Sequence, residues 1–264
     1  MLNEVQSKEP IIHCITNQVA ANFQANGLLA LGASPIMGDA VEEAEELTLL
    51  ADALSLNIGT LSQRSLDSML ISGKTANRKG IPVVLDPVGA GATRFRLSAV
   101  NQLLQHVEIT LLRCNAGELA AIAGADWQAK GVDAGAGDAD IEPLAMEVAR
   151  RYRLAVAVTG ETDLVTDGQT VEYIPHGSPK MAEITGMGCL LSAVAAAFLA
   201  SVEGPPMTIA AEALRYYGIA GENAAAETPG PGNFSARFLD LLASTEQQDI
   251  DEASKMGGML YGRD

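Results

Sequence analysis

The chain has 264 residues, 48% of them hydrophobic and 4% aromatic, with 26 glycines, which suits one well-buried α/β domain or two small ones. A formal charge of −16 argues against nucleic acid or an anionic membrane as partner. It does not exclude a small anionic ligand, which backbone N–H groups and one or two basic residues can hold locally.

The first ten residues, MLNEVQSKEP, lack the basic flank and apolar stretch of a signal peptide. Helical patterns at 19–31 and 42–51 precede a first apolar strand at 54–58. A helix at 65–78, a strand at 83–86, a helix at 98–105 and a strand at 109–112 follow. Next come a helix at 141–150, a strand at 154–159 and a weaker strand at 171–174. Residues 130–140 (KGVDAGAGDAD) read as a surface loop within one domain. The apolar run 189–202 is interrupted by serines and too short to span a bilayer, so it reads as a buried helix. Beyond it the chain is mainly helical, with breaks at Pro205-Pro206 and from Pro229 to Gly232, and 245–264 reads as a flexible tail. The alternation predicts a single domain over 1–264 with a largely parallel sheet covered by helices on both faces. Cys14, Cys114 and Cys189 are an odd number without metal-ligand spacing, which points to a reducing cytoplasm and no disulfides.

In an open parallel sheet, ligands gather outside the carboxyl ends of the strands. Four strand ends here carry suitable residues: Gly59-Thr60, Asp86 to Gly89, Arg113 to Asn115, and Thr159-Gly160. The sharpest local feature is Ile184-Thr185-Gly186-Met187-Gly188-Cys189, directly before the apolar helix. Gly186 and Gly188 allow a tight turn, and the following helix offers unpaired N–H groups and its positive dipole end to an anion.

Gly186-Met187-Gly188-Cys189 resembles the G-T-G-C signature of the hydroxyethylthiazole kinases, within the ribokinase-like superfamily. His13-Cys14-Ile15-Thr16-Asn17 is similar to that family's H-x-x-T-N, and Leu28 to Met37 to its L-L-A-x-G-A-S-P-x-M block. Leu85 to Val88, Arg113 to Glu118, Val158 to Gly160 and Gly230 to Phe234 match in family order, so the likeness covers about residues 11 to 243. Met187, Cys114 and the pair Gly38-Asp39 depart from the family pattern.

The resemblance implies a three-layer ribokinase-like α/β fold and transfer of a phosphoryl group from ATP to a hydroxyethylthiazole in thiamine salvage. It implies thiazole contacts from Asn17, Val19, Met37, Gly59 and Gly186, and ATP contacts from Arg113 and Thr159. Asp86 and Glu118 are carboxylates placed to hold magnesium; alone, Glu118 could equally be a favourable charge at a helix N-terminus. Asn115, three residues before Glu118, can face the same ligand if a helix begins there. Arg113 suits phosphate oxygens, or else a surface salt bridge. Gly186, Gly188 and Cys189 form the expected catalytic turn. A thiol at a helix N-terminus can have its pKa lowered from about 8.5 toward neutrality. Phosphoryl transfer depends chiefly on positioning and charge stabilisation, so Cys189 is expected to assist rather than to dominate.

His13, His106 and His176 are given no catalytic role. The alternatives are a related hydroxymethylpyrimidine-type kinase, a cysteine hydrolase using Cys189 with His13 or His176, and a non-catalytic binder on the kinase fold. The resemblance also implies a homotrimer with the thiazole pocket between subunits.

Overall fold

A computed structural model describes residues 1–125 and 141–252; the expected loop at 130–140 lies outside them. Among the described residues the sheet has eight strands: β1 (Ile11–Ile15), β2 (Ser34–Ile36), β3 (Ala53–Asn57), β4 (Val83–Asp86), β5 (Leu111–Asn115), β6 (Ala155–Thr159), β7 (Asp163–Thr166) and β8 (Val171–Ile174). Their spatial order is β2-β1-β3-β4-β5-β6-β7-β8. The first six run parallel, and β7 is antiparallel to both neighbours. The order reverses at β1, so the chain leaves β1 in one direction for β2 and in the other for β3. That reversal opens a crevice above the carboxyl ends of β1 and β3.

Ten α-helices cover the two faces among the described residues. On one face lie α1 (Leu2–Lys8), α2 (Ala21–Leu31), α8 (Met187–Ser201), α9 (Pro206–Glu227) and α10 (Pro231–Ser244), around a core that includes Leu28, Leu190, Phe198, Tyr217 and Phe238. On the other, α4 (Gln63–Lys79), α5 (Arg94–His106), α6 (Ala116–Ala123) and α7 (Ile141–Tyr152) enclose Leu66, Met69, Leu103, Leu119 and Val148, with α3 (Ala44–Leu50) packed beside α4. The three layers are the expected helix–sheet–helix arrangement. The apolar run before Val202 is α8, buried almost all round, as its lack of a polar face requires. β3 is likewise buried at every position, the pattern of a central parallel strand.

Local signals set most boundaries. Ser62 and Ser65 form a capping box at the start of α4, which ends at Gly80 with φ of 77°. Pro206 and Pro231 occupy the first turns of α9 and α10. Strands β1, β2 and β7 escape the sequence reading. In β1, His13 interrupts the apolar run, yet it is fully buried with Nδ1 2.9 Å from Thr48 Oγ1 and Nε2 2.8 Å from the Gly38 carbonyl. β2 is a three-residue edge strand containing Pro35, tolerated only because it pairs on one side. The strand expected at 109–112 instead runs to Asn115, because its polar end continues the ladder with β6 as Arg113↔Ala157, Cys114↔Val158 and Asn115↔Thr159.

The stretch expected to be a flexible tail begins packed. Thr245 and Ile250 are buried, and Gln247 Oε1 accepts from the N-terminal amine at 2.8 Å and from Leu2 N at 2.7 Å. Residues 253–264 lie outside the described part. Cys14, Cys114 and Cys189 are all free thiols.

Candidate active site

The four polar strand ends come from β3, β4, β5 and β6, which are consecutive in the sheet. The sheet therefore gathers them along one edge, and β1 adds Asn17 just beyond its own end.

The turn before α8 closes over them. Gly186 is the N-cap residue, with φ of 94°, a conformation that costs a side-chain-bearing residue roughly 1 kcal/mol or more. The first helical bond runs from Leu190 N to the Gly186 carbonyl at 2.9 Å. That leaves the N–H groups of Met187, Gly188 and Cys189 at the mouth, as helix geometry dictates. Gly188 lies on the Arg113 guanidinium: a Cβ there would come within 2.6 Å of Nη2 and 2.7 Å of Nη1. Met187 turns away from this surface into the core, where its carbonyl accepts from Tyr217 Oη at 2.7 Å.

Beneath the turn is a buried polar chain. Asn17 Nδ2 donates to Cys189 Sγ at 3.2 Å and to Asn57 Oδ1 at 2.9 Å, while Asn17 Oδ1 accepts from Ala20 N. Asn57 Nδ2 donates to Asp86 Oδ2 at 2.8 Å, and Ser192 Oγ donates to the same oxygen at 3.0 Å. Asn57 Oδ1 also accepts from Gly59 N at 2.9 Å. A Cβ at Gly59 would meet the Asn17 side chain at 2.8 Å, so glycine is needed where these loops touch.

Arg113 joins the next two strand ends. Its side chain is only 12% exposed and sits 3.4 Å from Asp86, and its Nη2 donates to Thr159 Oγ1 at 2.7 Å. It is therefore a buried group beneath the turn and not a surface salt-bridge arginine. Burial works against its charge, but Asp86 and Glu118 outweigh that and hold it protonated. Its Nε is buried without a partner.

Asn115 and Glu118 spend part of their polar atoms on each other. They form a capping box at the start of α6: Asn115 Oδ1 accepts from Glu118 N and Glu118 Oε2 accepts from Asn115 N, both at 2.9 Å. Glu118 Oε1 accepts from Gly89 N at 2.8 Å, which ties the loop after β4 to α6. Each carboxylate oxygen keeps a lone pair for a further partner.

The electrostatics follow from desolvation. Burial raises the Asp86 pKa, resisted by Arg113, Ser192 and Asn57. Burial and then Asp86 raise that of Glu118. The Cys189 thiol is also pushed up, by burial first and by Asp86 second, against the hydrogen bonds from Asn17 and Asn57. The lowering expected of a helix N-terminal thiol is thus overturned, and Cys189 rests as a neutral thiol. Asp163, at the start of β7, is raised to about 6 by burial, although it accepts from Gly160 N at 3.0 Å.

Val19 and Met37 stand apart from this buried network, at 68% and 39% exposed. Neither His13 nor His176 is bonded to Cys189. His13 is satisfied by Thr48 and Gly38, and His176, for which sequence offered no partner, lies 3.3 Å from Glu222. No catalytic Cys–His pair exists among the described residues. Asn57, Ser192 and Arg96 were not anticipated as site residues. Asn57 ends an apolar strand and Ser192 sits within an apolar helix, so only the sheet order reveals that both converge on Asp86.

A model of the Hydroxyethylthiazole kinase family matches residues 2–248. The hydroxyethylthiazole kinase of Haemophilus influenzae (strain PittEE) is 51% identical over 256 residues, which cover 97% of each chain. Among solved structures, the hydroxyethylthiazole kinase protein from Pyrococcus horikoshii OT3 is 38% identical with a TM-score of 0.85, covering 95% of this chain and 94% of that one. A ribokinase-like superfamily protein from Enterococcus faecalis V583 shares the fold at 13% identity and a TM-score of 0.63, covering 92% and 94%. The three layers are thus ribokinase-like, and the chain belongs to the hydroxyethylthiazole kinase family.

Proposed function

We propose that this chain transfers the γ-phosphoryl group of ATP to the hydroxyl of 4-methyl-5-(2-hydroxyethyl)thiazole. The observation that carries the reading is the unbroken hydrogen-bonded chain from Asn17 and Cys189 through Asn57 to Asp86. It joins an acceptor side at β1 to a phosphate side at β4 and β5.

The nucleotide phosphates lie at the mouth of the α8 turn, above the Arg113 guanidinium on which Gly188 rests, with Thr159 fixing the guanidinium and the Asn115 end of β5 bordering the nucleotide. The free N–H groups of the turn and the buried positive charge of Arg113 face the phosphoryl group where negative charge accumulates in transit. The acceptor hydroxyl enters beside Cys189 and Asn17. The P–O bond to the acceptor forms as the bond to the leaving diphosphate breaks, and the hydroxyl proton passes late to an oxygen of the transferred phosphoryl group or to water. A neutral thiol cannot serve as a resting base, so Cys189 orients the hydroxyl and receives support from Asn17.

Magnesium fits this donor set. Among the described residues no three acidic, histidine or cysteine side chains group to hold a metal by themselves. Magnesium usually takes one or two carboxylates and completes its shell with phosphate oxygens and water. Asp86 and Glu118 are such a pair, both buried and both within reach of the Arg113 charge. Asp86 Oδ1 has a single long contact at 3.4 Å, to Arg113. When bound, the ion neutralises phosphate charge.

The working unit is a single kinase domain in a cytoplasmic homotrimer. Asn17 and Gly59 are inward, whereas Val19 and Met37 face out, so a neighbouring subunit is needed to enclose the thiazole ring. No described helix is long and apolar enough to cross a membrane.

The test is incubation of the purified protein with ATP, magnesium and the thiazole alcohol, with mass detection of the phosphorylated product. Product that needs all three components supports the reading. Equal turnover of a hydroxymethylpyrimidine would favour the related kinase instead.

A further inference from the structure

Arg96, in the first turn of α5, reaches across two loops at once. Its Nη1 donates to the Ile58 carbonyl at 2.6 Å and to the Val88 carbonyl at 2.8 Å, and its Nη2 donates to the Gly59 carbonyl at 2.7 Å. The backbone N–H of Arg96 is itself capped by Thr93 Oγ1 at 3.2 Å, so the side chain departs from a fixed helix start. The three carbonyls belong to the loop after β3, which touches Asn17, and to the loop after β4, which follows Asp86.

No carboxylate pairs with Arg96 among the described residues. A half-buried guanidinium bonded to main-chain carbonyls fixes backbone directly, which an apolar side chain in its place could not do. What the planar fork supplies is geometry, because one rigid group fixes three carbonyls belonging to two separate loops. The loop after β4 is gripped from both sides, Glu118 taking the Gly89 N–H and Arg96 taking the Val88 carbonyl. The loop after β3 is gripped likewise, Asn57 taking the Gly59 N–H and Arg96 the Gly59 carbonyl.

We infer that Arg96 is a positioning residue that locks the acceptor-side loop at Ile58-Gly59 to the metal-side loop at Val88-Gly89, so that the hydroxyl and the phosphoryl group are held in line. The role rests on the kinase reading above, and the experiment separates the two.

Arg96→Met and Arg96→Lys would be compared with the parent protein by steady-state kinetics for each substrate and by amide hydrogen exchange without ligands. Because misplacement of reacting groups by about 1 Å costs on the order of 100-fold, Arg96→Met should lose roughly 30–100-fold in kcat. The KM for the thiazole alcohol should rise several-fold, and that for ATP should change by less than about threefold. Arg96→Lys keeps the charge but not the fork, and should recover only part of the loss. In the ligand-free Arg96→Met protein, exchange should accelerate at residues 58–60 and 88–90 together while the core strands stay protected. Parent activity on the thiazole alcohol tests the kinase reading, since absence of product there defeats that reading alone. A folded Arg96→Met protein with unchanged kinetics, or with unchanged exchange in both loops, overturns the role of Arg96 whichever alcohol is the substrate. Full recovery in Arg96→Lys would also overturn it, by assigning the effect to charge.

Discussion

The side-chain amide of Asn17 donates to Cys189 Sγ across 3.2 Å, joining the end of β1 to the first turn of α8. That contact orients the thiol toward the crevice while burial and Asp86 keep it protonated. A protonated thiol held in place by an amide is suited to orienting a hydroxyl and unsuited to removing its proton.

Cys189→Ala is therefore expected to reduce kcat by roughly 10–100-fold, below the upper range for loss of a general base, with ATP affinity retained. Cys189→Asp should keep activity at or above that of the parent, since a carboxylate can both orient the hydroxyl and accept its proton. Steady-state kinetics of the two variants decide the matter; complete loss in a folded Cys189→Ala protein that still binds ATP would make the thiol essential.

Asn57→Leu should be damaging on two counts. It strips partners from Asp86 Oδ2, Asn17 Nδ2 and Gly59 N, and each buried polar group left unpaired costs about 1–3 kcal/mol. A clear fall in Tm and a loss of kcat/KM on the order of 100-fold or more are expected. Ser192→Ala removes only one of the donors to Asp86 and should lose far less, which a side-by-side melt and assay would reveal.

Gly188→Ala places a methyl group against the Arg113 guanidinium. The arginine must move away from Thr159 and Asp86, so the KM for ATP should rise about tenfold or more while the alcohol KM changes little. Gly230→Ala is the control, because nothing lies within 4 Å of a Cβ there.

Asp163 titrates near 6 in the folded chain instead of at the ordinary carboxylate value of 3.8. The folded state therefore binds more protons than the unfolded state between those values, and stability falls as pH rises through that window. Asp163→Asn keeps an acceptor for Gly160 N and removes the charge. At pH 7 it should stabilise by about 1 kcal/mol or more, or roughly 2–4 °C in Tm, after allowance for partial exposure. At pH 3.5 the two proteins should melt alike. Thermal melts across pH 3.5–7.5 check this, and a constant difference at every pH would contradict it.

How much of this was written locally can be judged from particular residues. The all-round apolar stretch of α8, the apolar strands β3, β4 and β6, and the serine, glycine and proline signals at helix ends are short-range effects of burial and backbone geometry. They can be read without knowing any neighbour. So can the polar residues at strand ends, because a parallel α/β sheet directs them to one edge. Other features depended on which strands lie side by side. Asn17 meets Asn57 across 40 residues, Ser192 meets Asp86 across 106, and Asn17 meets Cys189 across 172. No local pattern marks Asn57 or Arg96, since an asparagine or arginine at such a position is equally suited to solvent. The pKa direction of Cys189 is hidden from the sequence for the same reason: the helix dipole is local, but desolvation and the Asp86 charge arrive only when the chain closes. Hydrophobic period and backbone preference, both local, set the layers, the strand ends and the glycine turn. Tertiary structure alone decided which side chains share protons, which carboxylates lose their water, and that Met187 turns inward to Tyr217, because desolvation and hydrogen bonding are properties of neighbours in space.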